Sequence, residues 1–193
     1  CVTPSVEYAA ILNEVTMSKY WSDSIKQLQP YTPGEQISGR SFIKLNTNES
    51  PYPPSPAVSA ALESLEASSL KLYPDPLASD LRQSLANNFN VSPAQVFVGN
   101  GSDDVLAMAF MAFFRGKTIQ FPVLTYSFYP VWCDLFNINY INTPMTKNYG
   151  IDTTALAMRD GGVIITNPNA PTGGLTPLAA ISDLAASSSG SVV

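Results

Sequence analysis

The sequence predicts an α/β fold: a mainly parallel sheet with helices between its strands, entered through an N-terminal arm. Three observations predict it. From residue 95 onward, short apolar runs of strand length alternate with segments of helical period, the pattern of βαβ units. Three of these segments carry Gly-, Pro- or Asn-rich loops just past a strand candidate, where open α/β sheets bind ligands. Ahead of them, Pro30, Pro33, Pro51, Pro53, Pro54 and Pro56, with Gly34 and Gly39, rule out regular structure over most of that stretch.

The elements follow in order. Residues 1–16 differ in character from the rest and precede Met17, so they are expected to be an upstream extension outside the fold. Residues 17–55 form the arm, with a short helix from Trp21 to Leu28 ended by Pro30 and one short strand over 42–45. Residues 56–193 form the first part of a large domain. Pro56 opens a helix, where its missing N–H costs nothing, and Ala60, Ala61, Leu62 and Leu65 give that helix an apolar stripe. A turn at Tyr73-Pro74-Asp75-Pro76 precedes a helix over 77–89, whose Leu77, Leu81, Leu85 and Phe89 recur every four residues. Strands are expected over 95–98, 118–121, 138–141 and 162–166, and helices over 103–114, 126–136, 153–158 and 177–186. Ser187–Ser191 reads as a turn, and Val192-Val193 as the beginning of a further strand, so the chain is expected to be truncated.

Composition narrows the function. Charged residues make up 13% of the chain, about half the usual share, so part of the surface is expected to be covered by further chain or a second subunit. The net charge of −5, with no basic block, leaves no electrostatic footprint for nucleic acid. No apolar run approaches the roughly 20 residues of a membrane span. Cys1 and Cys133 form no disulfide framework and no C-x-x-C pair, which points to a reduced, cytoplasmic protein. Histidine is absent, which excludes Ser-His-Asp and Cys-His catalysis and any His-based metal site in this stretch. No metal is expected.

Three loops could carry chemistry. Gly99-Asn100-Gly101-Ser102-Asp103-Asp104 joins a strand candidate to a helix start. Free N–H groups there can bind an anion, although an ordinary capped helix start has the same form. It is not a dinucleotide fingerprint, whose third glycine falls on Asp104. Nor is Gly116-Lys117-Thr118 a P-loop, because the required earlier glycine falls on Met111. The second loop, Pro122 to Tyr129, places Tyr126 just past a strand, where it either offers a face to a flat ligand or packs in the core. The third, Thr166-Asn167-Pro168-Asn169-Ala170-Pro171-Thr172-Gly173-Gly174, is either a ligand loop or a plain turn.

Taken together, these segments resemble a known family. Asn167–Gly173 is similar to the Asn-Pro-Asn-x-Pro-Thr-Gly loop of fold-type I pyridoxal-phosphate-dependent aminotransferases. With Leu45-Asn46-Thr47-Asn48-Glu49, Tyr73-Pro74-Asp75-Pro76 and Gly99–Asp104, in that order and spacing, the chain resembles histidinol-phosphate aminotransferases from about Trp21 to its end. The resemblance implies the first part of the large domain of such a transferase. It implies a pyridoxal 5′-phosphate cofactor, a homodimer, and amino-group exchange between L-histidinol phosphate and 2-oxoglutarate or glutamate in histidine biosynthesis. It also implies roles. Gly101, Ser102 and Asp103 would hold the cofactor phosphate, Tyr126 would stack on its ring, and Tyr73 would reach the phosphate in the neighbouring subunit. Tyr31 and Asn48 would contact substrate.

One position departs from the family pattern. Many relatives have Asn just before Pro-Thr-Gly, bonding the cofactor's 3-hydroxyl; here that position is Ala170, and Asn169 or Asn167 would have to substitute. The resemblance further implies a Schiff-base lysine in a Ser-x-Ser-Lys setting and an Asp paired with the pyridine nitrogen. Lysines 19, 26, 44, 71, 117 and 147 all lack that setting, so no catalytic residue is nominated and the 193 residues alone are expected to be inactive. Other branches of the same fold, an aromatic aminotransferase or a threonine-phosphate decarboxylase, remain open, as does a non-catalytic truncated product.

Overall fold

The computed structural model describes residues 19–28, 43–156 and 161–193. They fall into two units, one of residues 43–99 and one of residues 19–28 with 100–193.

The first unit is helical. It contains α2 (Pro56–Glu63), a 3-10 turn (Ala67–Lys71), α3 (Ser79–Phe89) and a second 3-10 turn (Pro93–Gln95). The strand expected over 42–45 is absent from its described part: residues 43–45 are irregular, and Ile43 and Leu45 are exposed. An isolated extended segment has no ladder to satisfy its backbone. Helix α3 begins two residues later than its apolar pattern suggests. Asp75 explains the shift, because its carboxylate accepts from Leu77 N at 3.0 Å and from Ser79 N at 2.6 Å. The Ser79 side chain first, and then these two backbone bonds, hold the Asp75 carboxyl below its ordinary range, and the bonds fix the helix start at Ser79. The strand expected over 95–98 is also corrected. Ser92 and Gln95 form a reciprocal capping box that folds Gln95 into a turn. Arg82 then takes the Pro93 and Val96 carbonyls at 2.6 and 3.0 Å, so a side chain satisfies groups that a sheet would have used.

The second unit holds the sheet. It comprises α1 (Asp23–Gln27), α4 (Ser102–Ala109) continued by a π turn (Phe110–Phe114), β1 (Thr118–Pro122), α5 (Tyr129–Phe136), β2 (Asn139–Thr143), β3 (Gly162–Val163) and α6 (Leu178–Ser187). The strand order is β2-β1-β3, all parallel, with Ile119 opposite both Tyr140 and Gly162. Val192 adds an isolated parallel bridge to Val163, supported by Val193 N to Val163 O at 2.9 Å.

Three helix expectations in this unit change. The segment 103–114 is α-helical only to Ala109; the π turn then brings both Phe110 and Phe114 into the core, with ring centroids 5.5 Å apart. Helix 126–136 starts at Tyr129, which leaves Tyr126 in the preceding turn. Residues 153–156 form turns, because Asp152 accepts from Thr154 N and Ala155 N and closes the chain locally; 157–158 lie outside the described residues. Ile119 and Phe121 of β1, Ile138, Ile164, Tyr129, Trp132, Cys133 and the two phenylalanines form one buried cluster. Leu156, Val163 and Leu184 form a second. Because the strands are parallel, the loops after β1 and β3 leave the sheet at the same, carboxyl, end.

Candidate functional site

Helix α4 begins without a side-chain cap. Its N-cap is Gly101, at φ 87° and ψ 170°, a conformation essentially reserved for glycine. A Cβ placed on Gly101 would meet nothing within 4 Å, so the space beside the helix start is open. The N–H groups of an α-helix's first turn have no intrahelical partner. Here they lie with Ser102 and Asp103 at an exposed end. Asp103 and Asp104, in the same turn, complement the helix dipole.

The loop after β1 carries Tyr126, half-buried and packed against three aromatic rings. Tyr129 lies edge-on at 5.7 Å, and Phe128 and Trp132 lie at 6.3 and 6.2 Å. The Tyr126 hydroxyl donates to Asp103 Oδ1 at 3.0 Å, joining the aromatic to the helix start. Beneath it, burial and the neighbouring Tyr126 push the Tyr129 hydroxyl up to about 12. Burial likewise pushes the Cys133 thiol up to about 12, so this cysteine is inert as a nucleophile near neutral pH. Among the described residues, Gln120 Oε1 in β1 and Thr125 Oγ1, next to Tyr126, are buried without a partner.

The loop after β3 closes on itself around Asn169, which is 2% exposed. Its Nδ2 donates to Leu124 O at 2.9 Å and to Thr172 Oγ1 at 3.0 Å, and its Oδ1 accepts from Thr166 Oγ1 at 3.1 Å. Both amide protons are therefore engaged within the protein. Asn167 is occupied as well: it donates to Thr176 O and accepts from Thr176 N. The two asparagines that could replace the missing Asn at Ala170 thus organise the loop itself. Thr166, Thr172 and Thr176, which complete that organisation, were not singled out from the sequence. Thr166 and Thr172 lie three residues either side of Asn169 and bond its amide side chain to side chain, whereas Thr176 lies nine residues beyond Asn167 and bonds it through its backbone, a local pattern with no functional meaning of its own.

Three sequence-derived segments therefore converge in one unit: Gly101–Asp103, Tyr126 and Asn169. The other nominated residues lie elsewhere. Tyr73 and Asn48 belong to the first unit; Tyr73 is fully exposed, and Asn48 has φ 55° in a turn spanned by a Lys44–Glu49 ion pair. Tyr31 lies outside the described residues. Among the described residues no cluster of His, Cys, Asp or Glu could hold a metal, and no helix is long and apolar enough to cross a membrane.

This arrangement suits a flat ligand bearing a phosphate. Backbone N–H groups and the Ser102 hydroxyl offer donors at the exposed helix start, which also carries the Asp103 and Asp104 carboxylates, and the Tyr126 hydroxyl bonds to this turn through Asp103. The chain is similar to known proteins. A family model for aminotransferase class I and II matches residues 40–192. Histidinol-phosphate aminotransferase 1 of Hydrogenovibrio crunogenus is 51% identical over 178 residues, 92% of this chain and 50% of that protein. The histidinol-phosphate aminotransferase of Clostridium beijerinckii is 49% identical over 158 residues, 81% of this chain and 44% of that protein. The chain thus spans about half the length of the curated relatives it matches. In fold it is similar to the Sinorhizobium meliloti histidinol-phosphate aminotransferase solved with pyridoxal-5′-phosphate, at TM-score 0.72 and 22% identity over 89% of this chain and 48% of that one.

Proposed function

We propose, from the premise that this chain belongs to the class I and II aminotransferase family, that its protein exchanges an amino group between L-histidinol phosphate and 2-oxoglutarate. The observation that supports this reading is the convergence of three segments past the carboxyl end of the sheet. Hydrogen bonds join Asp103 to Tyr126 and Asn169 to Leu124, on a helix start open to an anion.

Each residue's part follows from its chemistry. The N–H groups of Ser102 and Asp103, beside the open space at Gly101, would hold the phosphate of pyridoxal 5′-phosphate. Tyr126 would present its ring to the cofactor's ring. Asn169 would keep the loop after β3 against the loop after β1, supporting the cofactor indirectly. Tyr73 would act across a homodimer, and Tyr31 and Asn48 toward substrate. When bound, the cofactor supplies an electron sink and a carrier for the amino group. We further propose that the lysine and the ring-nitrogen anion this chemistry needs lie outside these 193 residues, since none of the six lysines has the family setting. The 193 residues alone would then not turn over. A cytoplasmic location fits the two distant cysteines.

The test is amino-group transfer by the full-length protein from histidinol phosphate to 2-oxoglutarate, read as glutamate formed. Activity on phenylalanine in place of histidinol phosphate, or carbon dioxide release from threonine phosphate, would move the protein to another branch of the family. Transfer by residues 1–193 alone, with one lysine labelled stoichiometrically after borohydride, would overturn the proposed division of the site.

A further inference from the structure

We propose that Asp103 is a positioning residue for the ring of Tyr126, acting through the bond from the Tyr126 hydroxyl to Asp103 Oδ1. The inference rests on the cofactor reading above and deepens it.

The geometry is a two-point hold. The Tyr126 ring meets Tyr129 edge-on, Phe128 nearly parallel and Trp132 tilted, at centroid distances of 5.7, 6.3 and 6.2 Å. Such contacts limit where the ring lies but resist tilting weakly, because the second torsion of a tyrosine is broad. The hydroxyl lies at the far end of the ring, and its 3.0 Å bond to Asp103 restrains both side-chain torsions together. The acceptor is itself anchored, since Asp103 stands in the first turn of α4. Ring tilt and helix start are thereby referred to each other.

The same bond orients the carboxylate. An Asp in the first helical turn is attracted to the unpaired N–H groups there, where it would compete with a bound anion. Engaged by the Tyr126 hydroxyl, Asp103 directs one carboxylate oxygen at the ring. A single contact thus serves both the stacking face and the anion-binding N–H groups.

The experiment uses the full-length protein with Asp103→Ala, Asp103→Asn, Tyr126→Phe and the double variant Asp103→Ala/Tyr126→Phe. Pyridoxal phosphate affinity and the circular dichroism induced in the bound cofactor are measured for each. Asp103→Ala and Tyr126→Phe are each expected to weaken binding by about threefold to tenfold, the net scale of one ordinary hydrogen bond at an exposed site. The double variant should be no weaker than the worse single. Asp103→Asn keeps an acceptor and should restore both affinity and the induced signal. A double-mutant cycle in urea unfolding of the cofactor-free protein reads the bond independently of the cofactor. Coupling there supports the hold even if the wild-type protein fails to bind pyridoxal phosphate, a failure that would sink the cofactor reading instead. Strictly additive effects in that cycle, or Asp103→Asn behaving like Asp103→Ala, would overturn the positioning role.

Discussion

Asn169 Nδ2 donates to the Leu124 carbonyl at 2.9 Å, and this bond ties the loop after β3 to the loop after β1. The amide is buried, and its removal would strand Leu124 O, Thr166 and Thr172. Asn169→Ala should therefore destabilise the cofactor-free protein by about 1–3 kcal/mol, the cost of losing three part-buried hydrogen bonds and leaving their partners unmet. Asn169→Asp should do at least as much harm, because a carboxylate oxygen would face the Leu124 carbonyl. Urea unfolding without cofactor measures both. Wild-type stability combined with weakened cofactor binding would make Asn169 a direct ligand rather than a loop anchor.

Gly162 is held open by Phe114. A Cβ at Gly162 would collide with Phe114 Cε1 and lie 2.6 Å from Cδ1, and Phe114 is itself fully buried. Gly162→Ala is expected to cost about 1–3 kcal/mol through overpacking. Adding Phe114→Leu, which shortens the opposing side chain, should recover part of that loss. If Phe114→Leu and Gly162→Ala simply add, the contact is not the source of the strain.

Alkaline pH should loosen the second unit. Burial raises the Tyr129 hydroxyl from 10.0 to about 12 and the Cys133 thiol from 9.0 to about 12. The folded state therefore keeps protons that the unfolded chain releases. The stabilisation is complete below pH 9 and is lost as pH rises toward 12. Tyr129→Phe removes one titrating group and should flatten the decline above pH 10. Unfolding midpoints measured from pH 8 to pH 11 test this; an unchanged slope in Tyr129→Phe would show that this hydroxyl is not responsible.

The sheet was legible because apolar strand runs and helical periods alternate cleanly after Lys117, and the parallel bridge at Val192 followed from two residues of that pattern. The first unit was less legible. Leu62, Leu77, Leu81 and Phe89 have helical spacing but remain exposed, because spacing reports a face and not what covers it. The strand expected over 95–98 was lost to two local competitors, the Ser92–Gln95 capping box and Arg82, which act through side-chain hydrogen bonds that periodicity does not register. At the site, the residue types of Gly101, Tyr126 and Asn169 were readable. That the amide of Asn169 turns inward was not, since it depends on Leu124, 45 positions away.

Gly101 offers the sharpest test of how the phosphate would be held. At φ 87° and ψ 170° it occupies a region that costs other residues about 1–3 kcal/mol, and no neighbouring atom would obstruct a side chain. Replacement by alanine therefore acts through backbone strain alone. The chain either bears that strain or relaxes, and relaxation turns the N–H groups of Ser102 and Asp103 away from their present directions. Gly101→Ala should weaken pyridoxal phosphate binding by about tenfold, equivalent to about 1.4 kcal/mol. Binding of pyridoxal, which lacks the phosphate, should be nearly unchanged. Ser102→Ala keeps every backbone N–H and removes one exposed hydroxyl, so it should lose less than Gly101→Ala does. Absorbance titrations of the three full-length proteins with both ligands decide the matter. If Ser102→Ala proves the more damaging, the side chain and not the helix backbone holds the phosphate.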